Sequence, residues 1–523
     1  MSFTRWRTAA GAVALLLLVA ACGGGGTDSA AGGTGEVDRN GTLRATYVIL
    51  PTPLDPHTPT SEVAQFPYIS PVYDRLTQMV HGEKGQELAP MVAESWEFSP
   101  DGATLTFALR DDVTFSDGSK LDSSAVKASL DRALTLPKST AKSYLSAIGR
   151  VDAPDPATVV ITTSRPAADL PYLLSTGYGS IINPKALANP DLDVAPQGSG
   201  AYTVSSVKQG DSVTYERREG YWDPEASKAK TIVIRGLVDA NARLSDIRSG
   251  QSDVTLLQTQ QFEEASSLGS GFSVHTYENT GTRQALAINQ YRPYMGDVRV
   301  RQALNYAVDR QAVVDAIMDG HAKPNLQPLA ANEAGFLATP TSSYGFDPAK
   351  ARQLLQEAGV PEGHEVNMVS ANYSPAQDIA KVVQDQLGKV GLKVNIEYQD
   401  ALGSITAYTK ESKFDLSTGV RVGFETPRLT LANSYLSSRT LLNPTPPEFS
   451  AALDRASDPR LSDDERTKVL EQAETVATDQ AFDVFMAGEG TTLLTTDKVT
   501  GIDSMGRSDY QGIFDLRYVG ITS

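Results

Sequence analysis

The clearest alternation of apolar and polar positions lies between Trp96 and Leu109. Trp96 and Phe98 share one face, and Leu105, Phe107 and Leu109 alternate with Thr104, Thr106 and Ala108. Between them, SPDG (Ser99 to Gly102) has turn chemistry, so the segment predicts a β-hairpin. A second turn, SDG (Ser116 to Gly118), precedes a helical stretch from about Asp122 to Leu134. Upstream, TLRATYVIL from Thr42 reads as a strand that stops at PTPLDP, where two prolines before the aspartate end any regular ladder.

Helical spacing dominates further on. Val300, Ala303, Leu304 and Ala307 recur behind a cap at Asp297. Asp347 and Pro348 form the cap and first turn of another helix, whose Ala351, Leu354, Leu355 and Ala358 face inward before Gly359 stops it. After it come a strand at Glu365 to Val369, a helix from Ala376 to Val390 ended by Gly391, and a strand at Lys393 to Tyr398. This is a βαβ unit, with a right-handed crossover expected. In open α/β sheets ligands sit at the carboxyl ends of strands, which marks the loop SANYSP (Ser370 to Pro375) and PTPLDP as walls of a binding cleft.

The amino-terminal pattern differs from both. Arg5 and Arg7 precede an apolar run, Ala9 to Ala21, too short to span a bilayer and suited to a secretory signal. Small residues Val19, Ala20 and Ala21 lead to Cys22, the only cysteine in 523 residues. The segment resembles the lipobox of bacterial lipoproteins, which implies that residues 1–21 are removed and that Cys22 is lipidated. An ordinary exported protein with an incidental Cys22 is the alternative. Two or more acyl chains would hold the protein to the outer face of the cell membrane. The glycine-rich residues 22–39 read as a flexible tether.

Removing residues 1–21 leaves 502 residues, enough for more than one core, and takes the formal charge from −17 to −19. With 63 acidic against 46 basic residues, the chain is not expected to bind nucleic acid. No intramolecular disulfide is possible with one cysteine. The five histidines (His57, His81, His275, His321 and His364) include no i, i+4 pair, and there is no G-x-S-x-G and no Walker loop. S-x-x-K occurs three times without an S-D-N or K-T-G partner, as expected of chance in a serine-rich chain. Neither a catalytic site nor a metal or other cofactor is expected.

Four long blocks carry a resemblance. LAPMVAESWEFSPDGATLTFALRDDVTFSDGSKLDSSAVKASLDRAL (Leu88 to Leu134) resembles the signature region of the family 5 extracellular solute-binding proteins of ABC importers, the dipeptide-, oligopeptide- and nickel-binding type. GSGAYTVSSVKQGDSVTYERREGYWDP (Gly198 to Pro224), DVRVRQALNYAVDRQAVVDAIMDGHAKP (Asp297 to Pro324) and FDPAKARQLLQEAGV (Phe346 to Val360) agree in the family's order, with IRSGQSDV (Ile247 to Val254) between them. The resemblance implies an α/β, bilobed periplasmic-binding-protein-like fold with a discontinuous first lobe. Residues 40–70, 199–282 and 490–523 would form lobe I, 71–198 an inserted subdomain, and 283–489 lobe II. It also implies a monomer that captures a small-molecule or peptide ligand between its lobes and delivers it to ABC permease subunits with their ATPases. A lipoprotein of the same fold acting as a peptide sensor or envelope chaperone is the alternative.

The chain departs from that family in FDLSTGVRVGFETPRLTLANSY (Phe414 to Tyr435). Peptide-binding members resemble a pattern with a tryptophan and, about three residues on, an aspartate that pairs with the peptide's α-ammonium group. Arg421 falls near the tryptophan position, Phe424 near the aspartate, and Glu425 one residue beyond. An ammonium desolvated without a carboxylate partner costs several kcal/mol. Either Glu425 takes that role or the ligand is not an ordinary free-amine peptide. Arg421 could clamp a carboxylate or phosphate, or Arg421 and Glu425 could form an ion pair with no ligand role. Further cleft candidates are Leu54 in PTPLDP, Tyr178 in TGYGS, Asn289 and Gln290 at the end of the LAINQ strand (Leu286 to Gln290), and Asn372 and Tyr373 in the βαβ loop.

Overall fold

A computed structural model describes residues 36–59, 61–82, 85–436, 444–505 and 515–523. The signal segment and Cys22 lie outside the described residues. At Val37 the chain already bridges Thr522, and the Asp38 amide donates to the Ile521 carbonyl at 2.7 Å, so the last residues of the expected tether belong to the folded body.

The strands and caps follow the sequence pattern closely. Strands Ala93–Phe98 and Thr104–Leu109 pair Trp96 with Phe107 and Phe98 with Leu105. Gly102 closes their turn at φ 73°, a left-handed conformation that glycine adopts without steric cost. These strands join Thr158–Thr163 and Ile148–Asp155 in a four-stranded sheet. Helix Ser123–Thr135, capped by the Asp122 carboxylate, packs Val126 and Leu130 into the same core as Leu105, Phe107 and Ile161. Asp297 and Asp347 cap helices Val298–Ala307 and Pro348–Glu357, and Gly359 ends the second at φ 72°. Strands His364–Ala371 and Leu392–Gln399 pair in parallel around helix Ala376–Gly388.

Two lobes share one 11-stranded sheet. In the first lobe, Leu43, Tyr47, Tyr68, Tyr215 and Ile232 form the core; in the second, Val300, Leu304, Val366, Met368 and Val383 do so. The strands Phe272–Ile288 and Asp483–Thr496 run antiparallel through both. Tyr277 and Leu493 are buried in the first core, while Leu286, Ile288, Val484 and Met486 are buried in the second. Midway, Tyr277 faces Thr491 but Thr282 faces Glu489, a register shift that bends a strand pair where it passes between the cores.

Candidate functional site

Strand direction decides where the lobes present their loops. Val254–Leu257 runs antiparallel to Asp483–Thr496 and ends with Leu257 opposite Thr492; Thr42–Tyr47 lies parallel beside it, and Thr231–Gly236 beside that. Leu416–Arg421 runs antiparallel to Phe272–Ile288 and ends with Arg421 opposite Arg283, with His364–Ala371 and Leu392–Gln399 parallel to it. Both sets of carboxyl ends therefore point at the register shift from opposite sides. This is the place where open α/β sheets bind ligands.

A cavity of about 800 Å³ lies beside this meeting point. Tyr144, Arg165 and Leu173 line it from the four-stranded subdomain, and Val420, Arg421 and Phe424 from the second lobe. One wall is a contact between the two. The Thr426 hydroxyl accepts from the Leu429 amide, capping helix Pro427–Tyr435, and donates to Asp169 at 2.7 Å. The Arg428 guanidinium also donates to Asp169, and the Ala168 amide donates to the Ser457 carbonyl at 2.8 Å. A second cavity of about 230 Å³ is lined by Gln258, Gln284, Tyr373, Val420 and Glu489, so Val420 faces both. Burial raises the Glu489 carboxyl above its ordinary range, against the Gln284 amide that donates to it at 2.9 Å.

Arg421 donates through Nε to Asp483 Oδ2 at 2.8 Å and through Nη2 to Oδ1 at 3.0 Å. Burial alone would lower its pKa, but the charge and hydrogen bonds of Asp483 outweigh that and hold it higher. Of the alternatives open for Arg421, the structure pairs it with Asp483 rather than with Glu425, and Glu425, half-buried, lines neither cavity. The Phe424 amide donates to the Thr430 hydroxyl at 2.9 Å, and its half-buried ring packs against the subdomain core.

The other candidates fall in several places. Tyr373 is exposed on the smaller cavity, and its neighbour Asn372 is exposed, with its amide bonded to the Gln399 carbonyl. Tyr178 is buried and stacks on Tyr144, with 4.4 Å between ring centres, and so supports the larger cavity from behind. Leu54 is fully buried in the first core and lines neither of these two cavities, because the loop after the first strand folds inward. Asn289 is fully buried too, donating to Ser412 Oγ at 2.9 Å and the Phe414 carbonyl at 3.2 Å, and Gln290 is buried beside it. Asp169, Arg165, Arg428 and Asp483 went unnoticed in the sequence. Thr426-Pro427 was a readable helix start, but nothing local identifies a partner 257 residues away.

Among the described residues no group of three or more His, Cys, Asp or Glu could hold a metal ion, and no helix is long and apolar enough to cross a membrane.

Comparisons with known proteins agree with this architecture. The glutathione-binding proteins GsiB of Salmonella paratyphi A and Escherichia coli K12 are each 32% identical over 346 residues, 65% of this chain and 66% of theirs. The match thus spans just under two thirds of those relatives. The substrate-binding protein CtaP of Listeria monocytogenes superposes with a TM-score of 0.81 at 22% identity, covering 93% of this chain and 100% of that one. DppA of Helicobacter pylori, in complex with the peptide STSA, gives 0.78 at 21%, covering 92% and 98%. The model of bacterial extracellular solute-binding proteins, family 5, matches residues 87–441, and the chain belongs to that family, one of binding proteins rather than enzymes.

Proposed function

We propose that this protein is the lipid-anchored, substrate-capturing component of an ABC importer. It binds a peptide or peptide-like solute between its lobes and hands it, as a monomer, to membrane permease subunits driven by ATPases. Cys22 carries the lipid on the outer face of the cytoplasmic membrane. The lobes exchange at 282/283 and at 489/490, with 40–70, 199–282 and 490–523 forming lobe I, 71–198 the inserted subdomain and 283–489 lobe II. The observation that carries this reading is the convergence of both lobes' strand ends on a two-strand crossover beside a cavity of about 800 Å³, within the range of ligand sites. Closure then works as a hinge whose closed state the ligand favours.

Arg421, Phe424 and Tyr373 are the proposed ligand contacts. With Arg421 neutralised by Asp483 and Phe424 at the family's aspartate position, the larger cavity lacks the family's usual anchor for a free α-ammonium group, and the carboxylates left to receive an amine there are Asp454 and Asp169, the latter already held by Thr426 and Arg428. Native mass spectrometry of the protein purified from its own host tests the reading. Bound peptides, or one peptide-like mass such as glutathione, support it. A protein that carries no solute and takes up none from a panel of di- and tripeptides, glutathione included, overturns it.

A further inference from the structure

Eleven large apolar side chains are exposed among the described residues, and six of them sit at, or within three residues of, a carboxyl end that faces the cleft. On the first lobe these are Leu50 and Val238. They lie together because Gly236, lacking a side chain, lets the backbone of Leu50 approach to where a Cβ would meet it at 2.5 Å, and the Leu237 amide bonds to the Tyr47 carbonyl at 2.8 Å. On the second lobe they are Val420, Tyr373, Tyr398 and Leu402, gathered by the parallel register that pairs Ser370 with Tyr398 and by the Asn372 amide bonded to Gln399. Val238 is 61% and Leu402 73% exposed.

Scattered apolar residues on a surface need no explanation, but a concentration at one place does. This concentration comes in two halves, one on each lobe, on strand ends that point at each other across the register shift. Val420 ties it to both cavities. We propose that the cleft selects solutes carrying apolar side chains, and that these side chains are held between Leu50 and Val238 on one lobe and Val420, Tyr373 and Leu402 on the other. The inference rests on the binding function proposed above and narrows its substrate class. A polar solute of the same length would leave both halves facing water after closure, whereas an apolar group removes them from it.

The test is isothermal titration calorimetry of the full chain with three tripeptides that differ only at the middle residue, Ala-Leu-Ala, Ala-Phe-Ala and Ala-Ser-Ala. One apolar group in such a pocket is worth roughly 10- to 200-fold in discrimination. The leucine and phenylalanine peptides are expected to bind at least about tenfold tighter than the serine peptide, and Val420→Ser and Leu402→Gln to shrink that ratio. Equal affinities, or a ratio untouched by both substitutions, overturn the proposal while leaving solute binding intact. So does a Leu402→Gln variant that binds normally but supports less uptake by cells, which would assign the patch to the permease. If no tripeptide binds, the co-purified solute decides: one with an apolar group supports the selectivity, one without overturns it, and no bound solute removes the binding function as well.

Discussion

Arg421 and Asp483 clasp each other through two hydrogen bonds of 2.8 and 3.0 Å, one at the last residue of a strand and the other at the first residue of the long crossover strand. The Asp483 side chain is inaccessible to solvent and that of Arg421 is 20% exposed. Breaking such a pair leaves a buried charge uncompensated. Asp483→Asn is expected to lower the unfolding free energy by about 3 kcal/mol in urea titrations. The double variant Arg421→Gln/Asp483→Asn, which removes both charges, should recover most of that loss.

Asp169 holds the subdomain to the second lobe through Thr426 and Arg428. Asp169→Ala should lower stability by about 2 kcal/mol, the scale of hydrogen bonds to a charged group. It should also widen the larger cavity, seen as an increased radius of gyration in small-angle scattering and a weaker ligand affinity. An unchanged scattering profile would show that Ala168 and Ser457 suffice to hold the wall.

His57 is fully buried, with Arg132 Nη1 2.9 Å from its Nδ1 and Asp55 also bound to Arg132. Burial first, then the Arg132 charge, lowers its pKa from 6.5 to about 4. The folded protein resists a proton that the unfolded chain accepts. The resulting stability is fully present above pH 6.5 and is lost as pH falls toward 4, by up to about 3 kcal/mol. His57→Gln should flatten thermal stability across that window.

Glu474 behaves oppositely. It is fully buried, accepts the Leu329 amide at 3.0 Å through Oε1, and has no hydrogen-bond partner at Oε2 among the described residues. Burial raises its pKa from 4.5 to about 8. Stability from this group is fully present below pH 4.5 and falls as pH rises toward 8, while the unfolded chain ionises and the folded one does not. Glu474→Gln should therefore stabilise the protein at pH 7 by roughly 2 kcal/mol and do little at pH 4.

The proposed membrane attachment rests on Cys22. Cys22→Ala is expected to move the protein from the membrane pellet to the soluble fraction, and retention in the pellet would refute lipidation as its anchor.

Local elements were legible because their causes are local. The hairpin around Gly102, the aspartate caps at 297 and 347, and the βαβ unit each follow from neighbours in sequence. Among the candidates, Tyr373 was reached from a strand end, and Arg421 and Phe424 from the departure from the family pattern; these three line the cavities. Leu54 and Asn289 follow or end strands too, yet both turn inward, since whether a loop side chain faces the cleft or the core depends on what packs above it. The partners of Arg421 and Arg428 lie 62 and 259 residues away, a distance over which spacing carries no information.

The bridge between Val37 and Thr522 has a mechanical corollary. Val37 and Asp38 are held against Thr522 and Ile521 beside the strands of the first lobe, so a pull applied at Val37 bears on that lobe. In the proposed closure the second lobe then swings like a jaw against a fixed mate. Immobilising the protein on a surface through its amino-terminal segment should leave ligand-driven closure as fast as it is in free solution.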